Sequence, residues 1–162
     1  MIRFIAALDS KNGIADDHGI PWRGKLPSDV HYYRDKLETG TILMGYGVYN
    51  ELSEPYPGGI NYVATTKSEP LRQGFTPVPD ARGFLQSSTG DIWDIGGAGL
   101  YSSTIDLADE LYLTRIDHDF LCTKFFPEYR DSFSLKSKSE VFEENGLSFW
   151  FEVWQKTSLK KD

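Results

Sequence analysis

The sequence predicts an α/β fold, a single domain over residues 1–162 with a central, mainly parallel sheet of about eight strands. Apolar runs typical of strands alternate with short helical segments through the first two thirds of the chain, which favours parallel strands with flanking short helices. Near the end, Glu144-Asn145-Gly146 separates two extended stretches and predicts an antiparallel C-terminal hairpin. The length of 162 residues is enough for one hydrophobic core.

The first predicted strand covers residues 2–8, a compact apolar run that ends at a turn-forming segment. A long loop follows over residues 9–26, and a loop of that length in a compact domain is usually functional or mobile. A helix is predicted over residues 27–37. Pro27 suits its first position, and Asp29 in its first turn interacts favourably with the helix dipole.

The remaining elements are shorter and are predicted from the same signals. The predicted strands are 41–44, 61–66, 91–95 and 110–116, the predicted helices are about 46–52 and 98–105, and the hairpin strands are about 134–142 and 147–156.

The composition excludes several classes of protein. A net charge of −7 argues against broad nucleic-acid binding, which requires a basic face. The apolar run at the N-terminus is too short for a signal peptide, and no run approaches the ~18 apolar residues of a membrane span. Cys122 is the one cysteine, so no intrachain disulfide can form. We expect a cytoplasmic protein without nucleic-acid or membrane partners.

Common catalytic motifs are missing from the sequence. The three histidines, His18, His31 and His118, have no metal-like spacing, so no metal site is expected. The chain contains neither a G-x-S-x-G elbow nor a G-x-x-x-x-G-K-[ST] phosphate loop.

The run Gly96-Gly97-Ala98-Gly99 lies between a predicted strand and a predicted helix. Glycines at such a junction let the backbone approach a ligand, and the helix N-terminus can hold a phosphate. The dinucleotide pattern G-x-G-x-x-G is incomplete, because Ser102 occupies its third glycine position. The run is compatible with a phosphate-binding turn or with a plain tight turn.

Asp29 is the candidate acid. Tyr32, Tyr33 and Lys36 follow it on the same helix face. A carboxylate beside aromatic side chains is desolvated, which raises its pKa. Such a group could donate or relay a proton, or bind a cationic N–C–N edge through two hydrogen bonds. The alternative is an ordinary first-turn aspartate that only interacts with the helix dipole.

Several short motifs occur in a fixed order along the whole chain. They are Ile5-Ala6-Ala7, Asn12-Gly13-Ile14, Ile20-Pro21-Trp22, Leu26-Pro27-Ser28-Asp29, Thr41-Ile42-Leu43-Met44-Gly45, Pro55-Tyr56-Pro57-Gly58 with Asn61, and the segments 95–101, 111–117 and 125–129. Together they resemble the dihydrofolate reductase family. The resemblance implies reduction of 7,8-dihydrofolate to 5,6,7,8-tetrahydrofolate by hydride transfer from NADPH, in a monomer whose partner is this small-molecule substrate.

The same resemblance implies the residues of the substrate side. Asp29 would bind the 2-amino and N3 edge of the pterin and promote protonation of N5, Thr114 would hydrogen-bond Asp29, and Trp22 would hold a nearby water. The other implied substrate contacts are the backbone carbonyls of Ile5 and Ile95, and the side chains of Ala6, Ala7, Val30, Tyr33, Leu52 and Tyr101. The loop over residues 9–26 would close over the site.

Gly96-Gly97 would form a strained cis peptide at the cofactor, with Tyr101 near the nicotinamide. The implied cofactor contacts are Ala7, Ile14, Ile20, Gly45, Tyr46, Gly47, Val48, Thr65, Thr66, Lys67, Ile95, Gly96, Gly97, Ala98, Gly99, Leu100 and Tyr101.

The sequence departs from the family pattern at the cofactor positions. Tyr46 and Val48 stand where the family usually has an arginine for the 2′-phosphate of NADPH and a threonine for the pyrophosphate, and Gly99 stands where a basic residue is frequent. Lys67 could supply the missing charge, and Tyr46 could stack on adenine. Use of NADH is an alternative, because basic residues are absent at positions 46 and 99.

Two further departures concern the substrate and the loop. Gly59 replaces an arginine that clamps the glutamate carboxylate of folate, and Arg34 is the one nearby basic residue that could substitute. We therefore predict a weakened preference for the glutamate tail. Cys122-Thr123-Lys124 replaces residues that steady the active-site loop, and Cys122 is expected to be a small structural residue.

Three alternative functions stay open. The first is a reductase of a tail-less pterin or of a pyrimidine intermediate of flavin synthesis. The second is a weakly catalytic homologue that binds nucleotide or pterin without turnover. The third is a structural α/β domain without a ligand, in which the aromatic residues are simply core.

Overall fold

The first strand of the chain lies in the middle of the main sheet. Both of the strands that pair with it come from the second half of the sequence. The computed structural model describes residues 1–38 and 40–157. Its strands are β1 (Ile2–Leu8), β2 (Gly13–Ala15), β3 (Thr41–Gly45), β4 (Asn61–Ala64), β5 (Phe75–Val78), β6 (Ile92–Asp94), β7 (Glu110–Ile116), β8 (Lys124–Phe125), β9 (Phe133–Lys138), β10 (Phe142–Glu144) and β11 (Leu147–Lys156). Its helices are α1 (Pro27–Leu37), α2 (Tyr46–Glu51), α3 (Ala81–Ser87) and α4 (Ala98–Thr104), with a short 3-10 turn at Ile105–Leu107.

The main sheet has nine strands, eight of them in the order β10-β11-β7-β1-β6-β3-β4-β5, with β9 also paired to β11. From β7 to β5 every pairing is parallel. The pairings of β11 with β7, β9 and β10 are antiparallel. The predicted α/β class, with its mainly parallel sheet and antiparallel C-terminal strands, is confirmed.

Several predicted boundaries need correction. The predicted strand at 61–66 ends at Ala64, and the predicted stretch at 134–142 is two strands, because β9 and β10 pair with different halves of β11. The loop at 9–26 contains β2, which pairs with β8. Among the described residues, β2, β5, β8 and α3 are the elements that the sequence analysis missed.

Alternate residues of β1 point to opposite faces of the sheet, so each face has its own hydrophobic cluster. Phe4 and Leu8 pack with Tyr101 on one face, and Ile5 packs with Trp93 on the other. Each fully buried side chain of this size contributes about 1.5–3 kcal/mol to the stability of the fold. The parallel strands therefore form a rigid layer from which residues at their carboxyl ends are positioned.

No helix of the described chain is both long enough and apolar enough to cross a membrane.

Candidate active site

Asp29 and Thr114 lie 85 residues apart in sequence but form a direct hydrogen bond. Asp29 is in the first turn of α1, and Thr114 is on β7 beside Ala7 of β1. The Thr114 hydroxyl donates to Asp29 Oδ1 at 2.7 Å. The bond that the resemblance implied is therefore present, between a helix and the central strands.

The electrostatic environment of Asp29 favours its protonated form. Burial raises the pKa of the Asp29 carboxyl, as expected from its aromatic neighbours, and the charge of Glu144 raises it further. The hydrogen bond from Thr114 lowers the pKa, because it stabilises the carboxylate. Since burial is the largest effect, the net pKa of Asp29 is above that of an ordinary aspartate.

Aromatic side chains surround this acid. Burial raises the pKa of Tyr33 well above its usual value, and its hydroxyl accepts a hydrogen bond from Tyr56 at 3.5 Å. Tyr32 is stacked on Phe151 with ring centroids 4.0 Å apart. Trp22 is buried and packs on Phe120 at 5.1 Å. After burial, the charge of Asp29 also raises the pKa values of Tyr32 and Tyr33, so both of these rings lie near the carboxyl.

The predicted substrate residues on α1 and β1 differ in exposure. Val30 is 44% exposed, and Arg34 is exposed one turn beyond it on α1. The carbonyl of Ile5 accepts a hydrogen bond from the Tyr101 hydroxyl at 2.6 Å. One lone pair of that carbonyl is therefore already used within the protein.

The Gly96-Gly97 peptide is cis, as the resemblance implied. Gly96 has a φ of +81°, and a Cβ added there would overlap the ring of Tyr101. Its carbonyl accepts the Gly45 N–H at 2.6 Å, which ties the ends of β3 and β6 together. Only glycine satisfies both the backbone conformation and the close approach of Tyr101 at position 96.

A groove of about 470 Å³ opens beside this turn. Its lining residues are Gly45, Tyr46, Ala64, Thr65, Thr66, Lys67, Val78, Pro79, Ala81, Gly99, Leu100 and Ser103. Seven predicted cofactor residues are thus brought together, namely Gly45, Tyr46, Thr65, Thr66, Lys67, Gly99 and Leu100. The others lie outside the groove, namely Ala7, Ile14, Ile20, Gly47, Val48, Ile95, Gly96, Gly97, Ala98 and Tyr101. Val48 instead packs against the cluster around Ile5 and Trp93.

Lys67 and Tyr46 form a cation–π pair at this groove. The Lys67 Nζ lies 3.9 Å from the centroid of the Tyr46 ring. Such contacts contribute about 0.5–1 kcal/mol at exposed sites. The pair places a positive charge and an aromatic face side by side, a combination suited to a phosphate and a flat heterocycle.

Comparison with known proteins agrees with this geometry. The family model described as dihydrofolate reductase matches residues 1–156. The chain belongs to the dihydrofolate reductase family. The dihydrofolate reductase of Bacillus subtilis strain 168 is 32% identical, over 99% of this chain and 98% of that protein. The dihydrofolate reductase of Drosophila melanogaster is 29% identical, over 98% and 100% of the two chains.

A solved structure of dihydrofolate reductase from Enterococcus faecalis, complexed with NADP(H) and RAB-propyl, has the same fold. The TM-score is 0.85 at 22% identity, and the match covers 98% of this chain and 97% of that one.

Within this dihydrofolate reductase fold, the backbone leaves no room for a side chain at position 59, where the sequence departs from the family pattern. A Cβ added at Gly59 would overlap the carbonyl oxygen of Gly40, and one added at Gly58 would overlap that of Glu38. A side chain at position 59 therefore requires the loop to move. Arg72 also lies beside Leu52 of the predicted pocket, where it donates to the Leu52 carbonyl at 2.6 Å.

Sequence reasoning missed other residues of this reductase site. Val78, Pro79 and Ala81 line the groove but belong to β5, α3 and their connection, which were not predicted. Asp80 caps α3 by accepting the Gly83 N–H, a signal that could have located this helix. Asp94, a buried acid behind the glycine turn, also went unnoticed, because a carboxyl within an apolar strand gives no motif.

Cys122 has no proposed chemical role. Cys122 is buried, and burial raises the pKa of its thiol to about 12, which suits the structural role expected for it. Across residues 1–38 and 40–157, no group of three or more His, Cys, Asp or Glu side chains is arranged to hold a metal ion.

Proposed function

We propose that this protein reduces 7,8-dihydrofolate to 5,6,7,8-tetrahydrofolate with NADPH, and that Asp29 promotes protonation of the pterin. The observation that carries the proposal is the bond between Thr114 and Asp29, an acid of raised pKa at the family's acid position. Family membership over residues 1–156 supports the reaction.

The substrate side supplies binding and a proton. Reduction of the pterin imine adds a hydride to its carbon and a proton to N5. The Asp29 carboxylate would accept hydrogen bonds from the 2-amino and N3 edge, and its raised pKa makes it more basic than an ordinary aspartate, which favours its part in the protonation of N5. Thr114 fixes the orientation of that carboxyl, and Trp22 would hold a nearby water. Burial of the carboxyl strengthens these polar contacts.

The groove suits the nucleotide. NADPH supplies the hydride when it is bound, and the chain's task is to hold it in place. Lys67 would pair with the 2′-phosphate, the face of Tyr46 would contact adenine, and Thr65 and Thr66 offer hydroxyls to the phosphates. Gly99 leaves open space in which a backbone can approach a ligand.

A tail-less pterin is the second candidate substrate. The loop at Gly58 and Gly59 packs against the backbone of residues 38 and 40, so it offers no side chain to a glutamate carboxylate. A bidentate arginine contact contributes on the order of 1–3 kcal/mol to binding. We expect KM values for dihydrofolate and for a tail-less dihydropterin to be closer than in a reductase with the clamp.

The test is a spectrophotometric assay of the purified protein with dihydrofolate, run with NADPH and with NADH. We expect turnover with NADPH and a loss of at least about a hundredfold in kcat for Asp29→Asn, because the amide cannot supply the acid. Asp35→Asn, an exposed acid on the same helix, should leave turnover unchanged. Nucleotide binding without turnover would select the binding-only alternative, and turnover confined to a tail-less pterin would select the second substrate.

We further propose that the protein is a cytoplasmic monomer whose partners are small molecules, without nucleic-acid partners. The net charge of −7 and the single cysteine support this expectation. Sedimentation of the purified protein tests the monomeric state.

A further inference from the structure

Asp94 is a fully buried carboxyl on β6, on the side of the sheet that packs against α4. Its neighbours in register are Phe4 on β1 and Leu43 on β3, both apolar and buried. From α4, Thr104 contacts Asp94 Oδ2, and Tyr101 is close enough for its pKa to be raised by the charge of Asp94. Within the described chain, Asp94 forms no ion pair with a lysine, arginine or histidine. An ionised Asp94 would thus be a buried charge without compensation.

Thr104 is bonded both to its own helix and to the acid. Its Oγ1 lies 2.5 Å from the carbonyl oxygen of Leu100 and donates to Asp94 Oδ2 at 3.1 Å. These two acceptors share the single hydroxyl hydrogen of Thr104, so the support that it gives to an ionised carboxylate is weak. Burial among apolar side chains outweighs the bonds from Gly96 and Thr104 and raises the pKa of Asp94 to about 7.

The other oxygen of the carboxyl holds the glycine turn. Asp94 Oδ1 accepts the N–H of Gly96 at 3.0 Å, and the carbonyl of Gly96 accepts the N–H of Gly45. Gly45 lines the groove proposed for the nucleotide. One buried acid therefore connects α4, the Gly96 turn and the end of β3.

We propose that Asp94 is a positioning residue for NADPH: it holds the Gly96 turn as a neutral acid, and its ionisation weakens NADPH binding. The inference rests on the proposed cofactor. Ionisation places a buried negative charge that has no countercharge behind a site for an anionic ligand. Because ionisation of Asp94 and binding of NADPH are thermodynamically linked, NADPH binding in turn favours protonated Asp94.

The experiment compares wild type with Asp94→Asn, because the uncharged amide keeps an oxygen that can accept from the Gly96 N–H but cannot ionise. The dissociation constant of NADPH is measured by fluorescence titration, and stability by urea unfolding without nucleotide. For wild type we expect the NADPH constant to rise roughly threefold or more between about pH 5.5 and about pH 8.5, with a falling urea midpoint. In Asp94→Asn both changes should be smaller. Asp91→Asn, an exposed acid of lowered pKa near the start of β6, should behave as wild type.

Equal pH dependence of NADPH binding in wild type and Asp94→Asn would overturn the inference. If the variant does not fold, carbon-13 spectra of carboxyl-labelled aspartates in Asp29→Asn decide the matter. A resonance that titrates near neutrality supports the proposal, and its absence overturns it. If NADPH fails to bind at any pH, the proposed cofactor is wrong, whereas a urea midpoint that is pH-dependent only in wild type still identifies Asp94 as the buried acid.

Discussion

The substrate side and the cofactor side of the cleft each contain a carboxyl whose pKa is raised by burial, but the two are used differently. Asp29 reaches from α1 into the predicted pocket and is held by one hydroxyl, that of Thr114. Asp94 is enclosed behind the glycine turn, and the groove there exposes backbone, Tyr46 and Lys67 instead. The surfaces match their proposed ligands, since a pterin edge donates hydrogen bonds and a phosphate accepts them.

Among changes that leave Asp29 itself in place, Thr114→Val should give the largest effect on the substrate side. Loss of the hydroxyl removes the bond that lowers the pKa of Asp29, so that pKa rises further and the carboxyl loses its orientation. We expect kcat to fall roughly tenfold, which corresponds to the free energy of a lost hydrogen bond to a charged group. The alkaline limb of the pH–rate profile should move to higher pH. Stopped-flow measurement of hydride transfer against pH tests this.

Thr114→Ser is the matched control, because it keeps the hydroxyl. If the serine and valine variants lose activity equally, packing at position 114 and not the hydrogen bond determines the rate.

On the cofactor side, Lys67→Gln should have a smaller effect than Thr114→Val has on the substrate side. Removing the ammonium group beside Tyr46 should raise the KM for NADPH roughly fivefold and leave the KM for NADH unchanged, because only NADPH carries the 2′-phosphate. Steady-state kinetics with both nucleotides measures the change. Lys138→Gln, which removes a lysine over Trp150 away from the groove, is the control. An equal rise in the KM for NADH would mean that Lys67 does not bind the 2′-phosphate.

Glu144→Gln should give the smallest effect. Glu144 on β10 accepts hydrogen bonds from the N–H and hydroxyl of Ser28, the residue before Asp29, and its charge raises the pKa of Asp29. Neutralising it should lower that pKa, so protonated Asp29 is lost at a lower pH and turnover at alkaline pH falls about twofold. The pH–rate profile measures this, with exposed Glu143→Gln as control. An unchanged profile in Glu144→Gln would show that Glu144 only caps the helix.

The sequence was sufficient for elements whose local signals agree with the fold. Strand β1, helix α1 and strand β7 have the predicted bounds, because apolar runs and Pro27 act locally. Strand β5 contains Pro77, which usually argues against a strand and is tolerated here at the sheet edge beside β4. The short strands β2 and β8 exist only through their pairing with each other.

The residues of the site were likewise predictable only where local sequence signals mark them. Asp29, Thr114 and the glycine pair could be found because they stand in motifs, and the structure brings Asp29 and Thr114 into contact. Glu144 acts through Ser28, 116 residues away in sequence, and Asp94 acts through Thr104 on the following helix. A single sequence contains no sign of such contacts. The charges that set a pKa are therefore the part of a site that sequence patterns predict least well.

The central position of β1 also affects how the protein is made. The strand is synthesised well before its partners, which begin at Ile92 and Glu110. At translation rates of about 5–20 residues per second, β1 stays unpaired for several seconds. Its apolar sequence and both free edges are then open to other chains. We expect the yield of native protein to depend on chaperones that cover β1 until β6 and β7 have been synthesised and can pair with it.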